Sequence, residues 1–180
     1  RTDTHWRQEH LLDAAAAICG AMGVTAPNPA DYTVTALERP FYGVYYGQAA
    51  LPMDPEPMYI LENELLNACT VYNHETQQTT TIYDMDKLQS PDLYDVYLSG
   101  AQAMLTITNP SAKTPKELIV FRDSFGSSMV PLLVQNYRTV TVVDIRYANS
   151  NTLDRFIQFR NQDVLFLYST LVLNNSETIQ

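Results

Sequence analysis

The sequence predicts an α/β fold in which a parallel sheet is flanked by helices. Three observations carry that prediction. The last third of the chain alternates strand-like and helix-like segments, at 118–123, 127–137, 139–145, 151–161 and 164–168. Its strands are apolar throughout rather than alternating, the pattern of strands covered on both faces of a parallel sheet. The 180 residues, 46% of them apolar, suffice to bury one sizeable core, so a single domain over 1–180 is expected.

The elements before that region follow in order. Residues 7–22 read as a helix, because Leu11, Leu12, Ala15, Ile18, Cys19 and Met22 recur at helical spacing. Gly23 stands where a cap is expected. Residues 25–58 are loop-rich, with prolines at 27, 29, 40, 52, 55 and 57 around the aromatic run Phe41-Tyr42-Gly43-Val44-Tyr45-Tyr46. Residues 59–66 fit a short strand or a helical turn. The β-branched and aromatic segments 70–73 and 79–83 read as a hairpin. Residues 92–98 suggest a helical turn, and 103–107 a strand that Asn109-Pro110 ends. The stretch 59–108 is therefore expected to form a small β-rich insertion. Arg1 stands where a Met would begin a complete chain, and a chemically suggestive motif starts at residue 3. Both point to a piece of a longer chain, with an N-terminal part and a further strand upstream.

Charge and composition narrow the partners. The net charge is −9, and the 11 Lys and Arg are scattered. That leaves no basic footprint for a phosphate backbone, so no nucleic acid is expected. No apolar run approaches the ~18 residues of a membrane span. Cys19 and Cys69 fit either buried free thiols or a disulfide. No CxxC pair suggests zinc, and Asp84-Met85-Asp86 is too sparse for calcium. No Gly-rich loop follows a strand, which argues against a flavodoxin-like nucleotide binder. Neither metal nor cofactor is expected.

Two motifs carry chemistry. Asp3-Thr4-His5-Trp6 offers a carboxylate and an imidazole two residues apart. Arg122-Asp123-Ser124-Phe125-Gly126 puts a serine where the strand at 118–123 runs into a turn. That position is the carboxyl end of a parallel strand, where ligand crevices form, and free turn N–H groups and a helix dipole there suit a developing oxyanion. Ser, His and Asp are the parts of a nucleophilic acyl-transfer site. Each also has a bland reading: Ser124 as a helix cap, His5 as a surface imidazole, Asp3 as an N-cap. Asp123 should point away from Ser124. Arg146 suits either an acidic sugar or a structural ion pair. Tyr42, Tyr45 and Tyr46 suit either sugar stacking or buried packing.

These motifs, taken with Phe41-Tyr42-Gly43, Tyr97-Leu98-Ser99-Gly100 and Val143-Asp144-Ile145-Arg146-Tyr147 in that order, resemble the DHHW family of Gram-positive bacteria. That family is related to the SGNH-hydrolase-like alginate O-acetyltransferases. The resemblance implies an SGNH-hydrolase-like fold with Ser124 as nucleophile, His5 as general base and Asp3 orienting His5. It implies a serine-dependent O-acyltransferase or esterase acting on O-acetyl groups of a cell-surface or extracellular glycan. It also implies an extracytoplasmic setting, with a membrane anchor outside these residues. The alternative is a non-catalytic glycan-binding module that keeps the fold. Substrate contacts are expected at Arg146, Tyr46 and Gly100. The chain departs from the pattern at Thr4, where the family name has a second histidine. It departs again at Ala101, where the related Leu-Gly-Gly-Asn segment has an asparagine able to serve as an oxyanion donor.

Overall fold

The computed structural model describes residues 2–50, 52–175 and 177. Its eight strands are β1 (Thr33–Ala36), β2 (Tyr59–Glu62), β3 (Thr70–Asn73), β4 (Thr79–Thr80), β5 (Met104–Thr108), β6 (Glu117–Arg122), β7 (Thr139–Val143) and β8 (Asp163–Leu167). The main sheet has six strands in the order β4-β3-β5-β7-β6-β8, while β1 and β2 form a separate antiparallel ribbon. The α-helices are α1 (Leu12–Ala21), α2 (Val44–Ala49), α3 (Glu64–Ala68), α4 (Gly126–Met129) and α5 (Thr170–Asn174), joined by several 3₁₀ turns.

The class is α/β, but the sheet is mixed rather than parallel. β6 pairs in parallel with β7 and β8, whereas β5 runs antiparallel to β7 and β3 antiparallel to β5. The expected β-rich insertion is thus no appendage, because its strands β3, β4 and β5 extend the main sheet. Its hairpin, Val71 opposite Thr80, pairs as the β-branched pattern suggested. Between β4 and β5 the chain carries no α-helix, only short 3₁₀ turns at Met85–Gln89 and Leu93–Val96. A parallel return usually needs a crossover helix.

The helices are shorter than their periodicity suggested. A 3₁₀ turn at Gln8–His10 precedes α1. α4 lasts four residues before it becomes a 3₁₀ turn, Val130–Asn136, whose second residue is Pro131. Proline has no N–H for the α ladder and its ring clashes with the preceding turn. The macrodipole behind Ser124 is correspondingly weak. Residues 151–161 hold only the 3₁₀ turn Ser150–Arg155.

The larger core lies on one face of the sheet, where Val120, Val140 and Val142 pack against α1 and the Val130–Asn136 turn. A smaller cluster of Met104, Ile119, Phe121, Val143 and Ile157 lies on the other face. That second face is covered less well than continuously apolar strands led us to expect. β8 alternates half-buried and exposed residues, and Phe166, stacked on Phe121 at 5.0 Å, is 67% exposed. Cys19 and Cys69 are both free and buried, and burial pushes the Cys69 thiol up to about 11.

One buried amide ties the N-terminal segment to this frame. Gln8 is fully enclosed. Its Nε2 donates to the Ser128 carbonyl at 2.9 Å, and its Oε1 accepts from the Leu61 N–H at 2.8 Å and the Tyr83 hydroxyl at 3.1 Å. Gln8→Leu leaves the first two groups buried without partners, each costing about 1–3 kcal/mol. Urea unfolding of that variant is expected to show a loss of about 2–4 kcal/mol; a change within experimental error would remove Gln8 from the tether.

Candidate active site

The turn after β6 is shaped by Asp123. Its buried carboxylate accepts from the Phe125 N–H at 3.0 Å and the Ser169 N–H at 2.7 Å, so it points away from Ser124 and locks the turn to the end of β8. The Gly126 N–H closes the turn onto the Asp123 carbonyl at 3.0 Å. A Cβ on Gly126 would lie 2.7 Å from Arg122 Cβ, so glycine is needed for the close approach. Ser124 is left half-buried at the rim.

His5 reaches this turn from the other end of the chain. Its Nε2 lies 2.9 Å from Ser124 Oγ, and its Nδ1 lies 2.9 Å from Asp3 Oδ2. Asp3 Oδ2 also accepts the His5 backbone N–H at 3.2 Å, while Oδ1 accepts the Val44 N–H at 3.0 Å. Burial alone would raise the Asp3 carboxyl, but these hydrogen bonds and the nearby imidazole outweigh it and hold the group below its ordinary value. A carboxylate only accepts, so Nδ1 carries the proton and donates it to Asp3. The Nε2 lone pair is then free to accept the Ser124 hydroxyl.

The imidazole packs among aromatic rings. Tyr94 stacks on it at 4.1 Å, and Phe125 flanks it at 5.1 Å with Trp6 edge-on to Phe125. The Tyr94 hydroxyl donates to Ser128 Oγ at 2.8 Å, which fixes the ring to the segment following the nucleophile. Beside Asp3, a Cβ on Gly43 would stand 2.3 Å from Asp3 Cβ and 2.4 Å from the Thr2 carbonyl, so only glycine admits the carboxylate there. A mainly apolar cavity of about 40 Å³ adjoins Asp3 and His5. Among the described residues, no three His, Cys, Asp or Glu side chains gather into a possible metal site, and no helix is long and apolar enough to cross a membrane.

The other expected site residues are placed as follows. Arg146 directs Nε and Nη2 at Asp144, at 2.9 and 2.6 Å, and lies against the Tyr147 ring. It forms the structural ion pair that was one of its two readings. Tyr46, on α2, the helix whose first N–H binds Asp3, lies tilted against the Tyr42 ring at 4.7 Å. Tyr42 and Tyr45 are exposed rather than buried. Gly100 closes a run of three residues with positive φ and offers its carbonyl to Arg122. Sequence reasoning missed Gly43, Tyr94, Gln8 and Arg122. Gly43 and Arg122 both sat inside quoted motifs, but their roles depend on contacts distant in the chain.

The family model for DHHW proteins matches residues 1–143, so the chain belongs to the DHHW family. No curated protein matches. A crystal structure of a DHHW family protein from Eubacterium siraeum superposes with a TM-score of 0.77 at 25% identity, covering 99% of this chain and 62% of that one. Bacillus cereus PatB1 carrying a sulfonyl adduct gives 0.71 at 20% identity, over 95% of this chain and 60% of that one. PatB1 without the adduct gives 0.71 at 20%, over 96% and 62%. The chain thus spans about three-fifths of the length of these relatives, and the PatB1 matches speak to the fold alone.

The lowered Asp3 carboxyl predicts a pH signature. A depressed folded-state value contributes stability that is fully present above the unfolded carboxyl value of ~3.9 and is lost as pH falls through the folded value. The stability gap between wild type and Asp3→Asn, measured by urea unfolding, is expected to be present at pH 5 and to shrink as pH falls below roughly 4. A gap unchanged at pH 3 would contradict the assignment of the charge to Asp3.

Proposed function

We propose, from its membership of the DHHW family, that this chain carries a serine-dependent O-acyl-transfer site acting on O-acetyl groups of a cell-surface or extracellular glycan. The observation that carries the reading is the unbroken relay from Ser124 Oγ through His5 to Asp3, with both contacts at 2.9 Å. A hydroxyl is a weak nucleophile until a base takes its proton. In the proposed reaction Ser124 Oγ bonds to the acyl carbon as its proton passes to His5 Nε2, and the carbonyl electron pair moves to oxygen. The tetrahedral oxyanion collapses, expelling the donor's oxygen, which takes the proton from the imidazolium and leaves an acetyl-serine. A sugar hydroxyl or water then gives its proton to His5 and attacks the acetyl carbon, and the second collapse returns that proton to Ser124 Oγ. Asp3 fixes the tautomer and stabilises the imidazolium in both halves.

The developing oxyanion needs donors. Ala101 brings no side-chain amide, so backbone N–H groups fill that role. Among the described residues, the Ser124 and Ala101 N–H groups have no hydrogen-bond partner. The exposed Tyr42 and Tyr45, on or beside the helix that anchors Asp3, give a sugar ring a surface to stack on. Arg146 contributes little to a glycan subsite because its charge is directed at Asp144. We place the protein outside the cytoplasm, anchored by a segment beyond these residues. The 2.9 Å hydroxyl–imidazole contact favours catalysis over a glycan-binding module that only keeps the fold. A sulfonyl adduct on PatB1, a protein of the same fold, is in keeping with a reactive nucleophile in this scaffold.

The test is hydrolysis of 4-nitrophenyl acetate by the full-length protein and by Ser124→Ala, with intact-mass analysis. The expected result is turnover that falls roughly 10³-fold or more in the variant, together with an acetyl adduct on Ser124 in the wild type. Equal slow rates in both proteins and no adduct, alongside retention of an O-acetylated polysaccharide, would favour the binding module.

A further inference from the structure

Arg122 takes no part in the triad, yet its guanidinium is wholly buried two residues before the nucleophile. Nη1 donates to the Asp123 carbonyl at 3.3 Å and Nη2 to the Gly100 carbonyl at 3.2 Å. Nε has no partner among the described residues. The balancing charge is Asp144, 3.9 Å from Nη1 and already bound closely by Arg146. An enclosed cation with an orphaned donor and a shared, distant counter-ion is a poor way to gain stability, since an apolar side chain of similar volume fills such a space without the desolvation cost. The feature calls for a role in what the fork holds.

The fork holds two peptide groups. The Asp123 carbonyl belongs to the peptide whose N–H is that of Ser124. The Gly100 carbonyl belongs to the peptide whose N–H is that of Ala101. Neither peptide is cis, and in a trans peptide C=O and N–H point in opposite directions. One guanidinium therefore draws both carbonyls inward and turns both N–H groups away from itself. Both N–H groups lack a hydrogen-bond partner among the described residues. The loop leading to Ala101 needs such a hold. Leu98, Ser99 and Gly100 have φ of 54°, 59° and 80°, a run of left-handed residues that the first two adopt at a cost. Gly100 cannot be replaced easily, because a Cβ would stand 2.2 Å from Asp95 Oδ1.

We propose that Arg122 is a positioning residue that sets the direction of the Ser124 and Ala101 N–H groups, so that two backbone donors serve the acyl oxygen where Ala101 offers no side-chain amide. This rests on the acyl-transfer reading of the site. Lysine keeps the charge but not the planar fork, so it does not substitute.

The experiment compares wild type, Arg122→Lys and Arg122→Met by kcat and KM for 4-nitrophenyl acetate, thermal unfolding, and backbone hydrogen exchange across residues 97–101. The expected result is a kcat about 100-fold lower in both variants with KM changed less than about threefold, and faster exchange at the Leu98 and Gly100 amides. If Arg122→Met does not fold, Arg122→Lys carries the comparison. Wild-type kcat and unchanged exchange in a folded variant would overturn the proposal. If the wild type itself shows no turnover, the acyl-transfer reading fails, and exchange at 97–101 still decides whether Arg122 holds the loop.

Discussion

The imidazole of His5 can meet the Ser124 hydroxyl only if residues 2–8 are held against the turn that follows β6, and many polar contacts in this part of the molecule serve that docking. The two residues are 119 apart in sequence, so the loop-closure entropy must be offset by contacts made after the ends meet. Gln8 supplies a buried three-bond anchor at one end of the segment. At the other end, the Thr2 carbonyl accepts the Tyr45 N–H at 2.9 Å and Asp3 accepts the Val44 N–H. Tyr94 then stacks on the imidazole and Phe125 packs beside it. The segment that carries the Asp3–His5 motif is thus pinned on both sides of it.

That docking also sets the electrostatics. Asp3 is nearly enclosed and would prefer to be neutral, but the donors that fix its position hold it ionised. A second charged cluster, Arg122, Asp144 and Arg146, is buried or half-buried at the carboxyl ends of β6 and β7. The parallel half of the sheet thus positions the nucleophile at its strand ends, as open α/β sheets commonly do. The antiparallel half, through β3 and β5, widens the same platform.

The chemistry-bearing residues were legible because their signals are local. A serine after an apolar strand, and an Asp-x-His pair, can be read without knowing what they touch. Ser124, His5 and Asp3 were named on that basis, and the structure brings the three together. The supporting residues were not legible, because their roles exist only in three dimensions. Gly43 matters through Asp3, Tyr94 through His5, and Arg122 through Gly100. The strands 117–122, 139–143 and 163–167 followed their apolar runs closely. The direction of β3 and β5 did not follow from composition, since strand direction is set by the path of the connections. Pro131 cut short a helix that hydrophobic spacing had extended.

The most direct test of the account is the rate at which a sulfonyl fluoride labels the protein, read by intact mass and peptide mapping, in wild type and His5→Ala. The account predicts a single adduct, on Ser124, forming at least about 100-fold more slowly without the imidazole. Labelling spread over several serines, or labelling of Ser124 at the same rate in both proteins, would contradict a nucleophile activated by the docked N-terminal segment.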